Sequence, residues 1–183
     1  MTIHIEQAQA CEPPSPLSLE RGLGGKFILL AVIVAPLAAR ADSLPIPSGA
    51  PPSFQTECGS CHLPFPPALL TAPDWRRVMA RLDKHYGDDA SLDAKTRSEI
   101  EVFLTRYAAT RDKMAGEGDP PRLTATPWFR HEHSEVPASL WRDTRVVSAS
   151  NCAACHERAA EGSFRKRELS LPELQRRKDH HHH

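Results

Sequence analysis

Two stretches of this chain place their apolar residues at helical spacing. In "APDWRRVMARLDKHYGDD", Trp75, Val78, Met79, Leu82 and Tyr86 recur every three or four positions and therefore share a face. Pro73 suits a first helical turn and Gly87 a stop, so the pattern predicts a helix between them, with His85 on its core-facing side. In "DAKTRSEIEVFLTRYAATR", Ile100, Phe103, Leu104 and Tyr107 form a second stripe. The glycines and prolines of "DKMAGEGDPP" then make a loop across the middle of the domain. Residues 122–150 carry Trp128, Phe129, His131, His133 and Trp141 in short irregular stretches. Nowhere does a sustained period-two alternation occur, so the expected fold is mostly α, small and loop-rich.

The ends read differently. An apolar run from Phe27 to Ala39 follows Arg21 and Lys26 and is closed by Ala39-Arg40-Ala41, a small-x-small cleavage pattern. At about 1.5 Å per residue it is too short for a hydrocarbon core of roughly 30 Å. Residues 1–41 are therefore expected to be a cleaved export signal, leaving no stable membrane insertion. The Pro- and Ser-rich residues 42–56 read as an extended lead-in, residues 57–165 as the domain proper, and residues 166–183 as a polar surface tail. The terminal "KDHHHH" is either native or a tag remnant. Acids and bases balance at 23 each over the 183 residues, which gives no nucleic-acid footprint.

The chemistry lies in the cysteines. Apart from Cys11, in the signal-like segment, they are Cys58, Cys61, Cys152 and Cys155, in "ECGSCHLPF" and "NCAACHER". Both spell C-x-x-C-H, the attachment pattern of c-type haem. On a helical turn, positions i, i+3 and i+4 share a side, so two thiols can bond the haem vinyl groups while the following imidazole, His62 or His156, binds iron. Asn151 suits the N-cap of such a turn at the second site. A four-cysteine zinc site sets its pairs about 15–20 residues apart, whereas Cys58 and Cys152 stand 94 apart. Zinc also leaves the two histidines unexplained. A redox dithiol needs one pair, after a strand that is absent here, and a disulfide within each pair gives the histidines no role. Two covalently bound haem c groups are the expected cofactors. Only 27 residues follow His156, so the second haem has to borrow its surroundings from the preceding chain, and both haems are expected to share one core.

The sixth iron ligand is less constrained. His85 lies 23 residues after His62, and His133 lies 23 before His156. A lone histidine on an apolar face is ordinarily a hydrogen-bonded core residue, but two irons in need of ligands favour His85 as a ligand. Of His131 and His133, two apart, one is expected to ligate and the other to face solvent. Met79 reads as packing, and Met114 sits in too polar a segment for a haem site. Histidine on both sides would close each iron to substrate and make a carrier of low potential; a five-coordinate iron would allow an enzyme.

The segments "ECGSCHLPFPPALL", "DKHYGDDASLD", "TPWFRHEHSEVPASLW" and "NCAACHERAAEGSF" resemble the soluble diheme cytochromes c of photosynthetic and related proteobacteria, the group that includes the donor to the oxygen-binding sphaeroides haem protein. The resemblance covers most of residues 53–165 and includes the sequence between the motifs. It implies bis-histidine haems with His85 and His133 as the distal ligands, His133 being selected over His131. It also implies periplasmic electron transfer, from a membrane cytochrome b to a small haem protein or terminal reductase, without enzymatic activity. Chain proximity pairs His85 with the first haem and His133 with the second; the crossed pairing is the alternative. Other functions to weigh are a peroxidase-like or gas-binding enzyme with one five-coordinate iron, and an electron-transfer subunit of a larger reductase. Known diheme peroxidases resemble two cytochrome domains in tandem and are much longer.

Overall fold

The computed structural model describes residues 43–175; the export-signal expectation falls outside them, as does the terminal histidine run. The described residues belong to one compact unit of short helices, 3₁₀ turns and isolated β-bridges. No helix among them is long and apolar enough to cross a membrane.

Helix α1 spans Pro52–Cys58, with proline in its first turn, where the missing N–H costs nothing. It overturns the reading of residues 42–56 as wholly extended: Phe54 is 1% exposed and packs on Phe103, ring centroids 5.0 Å apart. Burying such a side chain contributes about 1.5–3 kcal/mol. The sequence around it looked like a linker because four prolines surround one aromatic residue.

Helix α2, Ala72–Met79, and helix α3, Ala94–Arg106, form the main packed pair. Trp75, Val78, Met79, Ile100, Phe103 and Leu104 fill the core between them, and Met79 packs as expected. Trp75 also donates from Nε1 to the Pro67 carbonyl at 2.7 Å. Asp93 caps α3, its Oδ1 accepting from the N–H groups of Lys95 and Thr96, each at 3.0 Å. Asp74, 3% exposed, accepts from Thr71 Oγ1 at 2.7 Å, Arg77 at 2.7 Å and Gly116 N–H at 3.0 Å. It thereby ties α2 to the central loop, where Met114 is buried despite its polar neighbours.

The first predicted helix stops early. After α2 the chain makes a 3₁₀ turn, Leu82–Lys84, and then a tight reversal in which His85 and Asp88 exchange both backbone hydrogen bonds, at 2.8 and 3.1 Å. Tyr86 and Gly87 both have positive φ, 56° and 118°, as the inner positions of a type I′ turn require. Gly87 adopts this freely. Tyr86 is held by its hydroxyl donating to the Pro121 carbonyl at 2.6 Å and by Arg122 over its ring at 4.6 Å. His85 thus projects from a hairpin turn and not from a helix face.

The second half is built on helices α4, Pro127–Glu132, and α5, Ala138–Trp141, with a last helix, α6, at Pro172–Gln175. Thr126 caps α4 by accepting from Phe129 N–H at 3.0 Å. A second apolar cluster, Leu140, Val146 and Leu171, lies here, so each motif has its own cluster within the one unit. Leu171 is 5% exposed, which corrects the reading of residues 166–183 as a polar surface tail over the part described, residues 166–175. Its backbone returns to the second motif, Ser170 N–H donating to the Cys155 carbonyl and Ser170 Oγ to the Ala154 carbonyl, both at 2.9 Å. From the other end, Leu44 N–H donates to the Gly162 carbonyl at 2.7 Å.

Candidate functional site

Each C-x-x-C-H segment turns sharply, and the two turns differ. At the first, α1 ends on Cys58, so Cys61 and His62 lie in the turns that follow; Gly59-Ser60 is a poor continuation of a helix. At the second, Cys152–Ala154 is a 3₁₀ turn, and His156 N–H donates to the Cys152 carbonyl at 2.9 Å. Cys152, Cys155 and His156 therefore stand on one turn. Asn151 does not cap it: its side chain donates instead to the Val146 carbonyl at 3.1 Å.

The fold brings the four histidines together in two pairs. His62 faces His85, ring centroids 6.2 Å apart and planes inclined by 16°. His133 meets His156, also at 6.2 Å between centroids, with planes at 85°. Metal–imidazole bonds of about 2 Å on either side of one ion would set two ring centroids roughly 6 Å apart. His133 stacks on Phe129, 4.0 Å between centroids, whereas His131, two residues before it, is exposed.

Hydrogen bonding orients one member of each pair. His62 Nδ1 is 2.8 Å from the Leu63 carbonyl and His133 Nδ1 is 2.9 Å from the Phe129 carbonyl. With Nδ1 donating, Nε2 is left as the free lone pair, the arrangement of an iron-binding imidazole. The Nδ1 atoms of His85 and His156 are buried without a partner. Burial, then the neighbouring His62, lowers the pKa of His85 against the pull of Asp88. Burial also lowers His133, against its bond to Phe129 and the charge of Glu132. His156 is pushed down to about 4, by burial and then by His133. These three imidazoles are neutral at pH 7, the form that binds metal.

The thiols are equally informative. Cys58 is pushed up to about 11 by burial and then by Glu57, and Cys152 to about 11 chiefly by burial; Cys155 is also raised by burial. A reactive thiol needs a lowered pKa, so Cys58, Cys152 and Cys155 are not tuned for thiol exchange. All four thiols are free of disulfides. Among the described residues no three His, Cys, Asp or Glu side chains converge on a metal-ion site, so the two pairs do not join as a zinc centre.

A cavity of about 480 Å³ opens beside the second motif, within the roughly 300–1,000 Å³ of cofactor sites. Cys152, Cys155, His156 and His133 all reach it, and Leu69 and Leu123 from the first half help to wall it. Its lining thus comes largely from the chain ahead of the motif, but Leu169 and Leu174 from the tail also contribute. An apolar cavity with two thiols on one wall and an imidazole pair fits a covalently attached haem.

Residues 54–164 match the family model described as dihaem cytochrome c. The crystal structure of DHC purified from Rhodobacter sphaeroides is 40% identical, covering 65% of this chain and 99% of that one, with a TM-score of 0.56. The X-ray structure of a diheme cytochrome type c from Shewanella baltica OS155 is 34% identical, covering 66% of this chain and 92% of its own, with a TM-score of 0.59. No curated protein matches the chain.

Proposed function

Because this chain belongs to the dihaem cytochrome c family and carries two covalently bound haem c groups, we propose that it is a periplasmic electron carrier whose two irons are each held by two histidines. His62 and His85 serve the first iron, and His156 and His133 the second. The observation that carries this reading is the pairing of the four rings, both at 6.2 Å between centroids. Haem supplies one-electron iron chemistry. The chain supplies the rest: thiols that anchor, imidazoles that ligate, and carbonyls of Leu63 and Phe129 that fix two of the rings. With two imidazoles on each iron no position is open to substrate, which makes the protein a carrier and not an enzyme. A membrane cytochrome b as donor, and a small haem protein or terminal reductase as acceptor, are the partners this role would need.

Low-temperature electron paramagnetic resonance of the oxidised, haem-loaded protein tests the ligation. Two low-spin signals and no high-spin signal are expected. His85→Met and His133→Met should each raise the potential of one haem while both haems stay attached. A high-spin signal from half the iron, or unchanged potentials in both variants, would place the distal ligands elsewhere.

A further inference from the structure

We propose that the chain holds its two haem sites at different potentials, with the site on Cys152, Cys155 and His156 the higher, so that a protein carrying one electron keeps it there. The inference rests on the bis-histidine reading above. If the ligands are the same at both sites, ligand type cancels and the surroundings decide the order.

Enclosure differs between the sites. At the second, Cys152, Cys155, His156 and His133 are all partly buried and border the apolar cavity. At the first, Cys61 and His62 are exposed, as are Gly59 and Ser60 before them and Tyr86–Asp89 beside His85. Ferric haem carries one more positive charge than ferrous haem, and a low-dielectric surrounding disfavours the more charged form. Enclosure therefore raises the second potential.

Charge acts in the same direction. Glu57, Asp83, Asp88 and Asp89 are exposed along the segments that carry Cys58 and His85. Glu57 directly precedes Cys58, and Asp88 is joined to His85 by both backbone hydrogen bonds of the turn. On this side Lys84 is exposed, and Arg122 is engaged over the Tyr86 ring. At the second site Glu132 and Glu135 share the cavity wall with Lys166, and Arg145 is held by the carboxylates of Asp143 and Glu173. The four exposed carboxylates around the first site favour its ferric form. Moving an electron from first to second site oxidises one iron from ferrous to ferric and reduces the other from ferric to ferrous, with no bond or proton transferred.

The test is a redox titration of haem-loaded protein, followed optically and by electron paramagnetic resonance, which resolves two one-electron waves. Asp88→Asn and Glu57→Gln each remove one exposed carboxylate beside the first site. Each is expected to move only the lower wave, upward, reducing the equilibrium constant between the sites by about two- to tenfold; tenfold corresponds to about 59 mV. Movement of the upper wave, or of neither, in both variants overturns the proposed order. Failure of the ligation reading shows separately, as a high-spin signal in the unaltered protein whatever the order of the waves.

Discussion

Asp74 offers a quantitative test of how the central loop is fixed to α2. Its carboxylate is buried and accepts three hydrogen bonds, from Thr71, Arg77 and Gly116. Hydrogen bonds to a charged group contribute about 1.5–3 kcal/mol each. In Asp74→Ala, Arg77, whose side chain is 48% exposed, turns to water and recovers most of its share. The Gly116 N–H, half-buried in the central loop, and the Thr71 hydroxyl recover less. A net loss of about 2–4 kcal/mol follows. Guanidinium titration of the haem-loaded protein measures it, with the slope unchanged between proteins. The pH dependence gives a second reading. Burial alone would raise Asp74, but its bonds to Arg77, Gly116 and Thr71 outweigh burial and hold its pKa below the ordinary 3.8. The contribution is therefore complete above about pH 4 and fades as pH falls through the lower folded value. The gap between Asp74→Ala and the unaltered protein should narrow in acid. A loss below about 0.5 kcal/mol at pH 7, the range of ordinary surface changes, would refute the reasoning.

Two further outcomes are expected. Gly162 has φ of 72°, and a methyl group there would meet the Leu44 carbonyl oxygen and Pro45 Cα, each at 2.5 Å; Gly162→Ala should cost more than the roughly 1–2 kcal/mol of the left-handed conformation alone, and limited proteolysis should cut residues 43–50 first. Replacing Cys152 and Cys155 together by serine should halve the covalent haem found by pyridine haemochrome assay while retaining the haem at Cys58 and Cys61.

What the sequence disclosed tracks the range of the interactions involved. The motifs were legible because their chemistry is local, and α3 because Ile100, Phe103 and Leu104 repeat on one face above a capping Asp93. The end of α2 was not: helical spacing continues through Tyr86, but the Tyr86 hydroxyl and ring are held by Pro121 and Arg122, 35 residues away in the case of the hydroxyl bond. The hairpin turn that aims His85 at His62 thus depends on tertiary contacts that periodicity does not encode. Phe54 and Leu171 were hidden for a related reason. Each is an isolated apolar residue in a proline-rich or charged segment, and only the distant surface it meets makes it core. Pro52 at the first turn of α1, and the Leu169-x-Leu171 alternation before Pro172, are the local signals that could have revealed them.

The closure around the second motif has a consequence for biogenesis. Leu44 lines its cavity and is bonded to Gly162, and Leu174 lines the same cavity from near the other end. The second site is therefore assembled from almost the whole described chain, whereas His62 and His85 meet within residues 52–122. A chain made from its N-terminus forward can complete the first site before residues 123–174 exist, but can close the second only once Leu174 has been added. The two haems would then be secured in a fixed order, with the later one acting as the keystone of the finished protein.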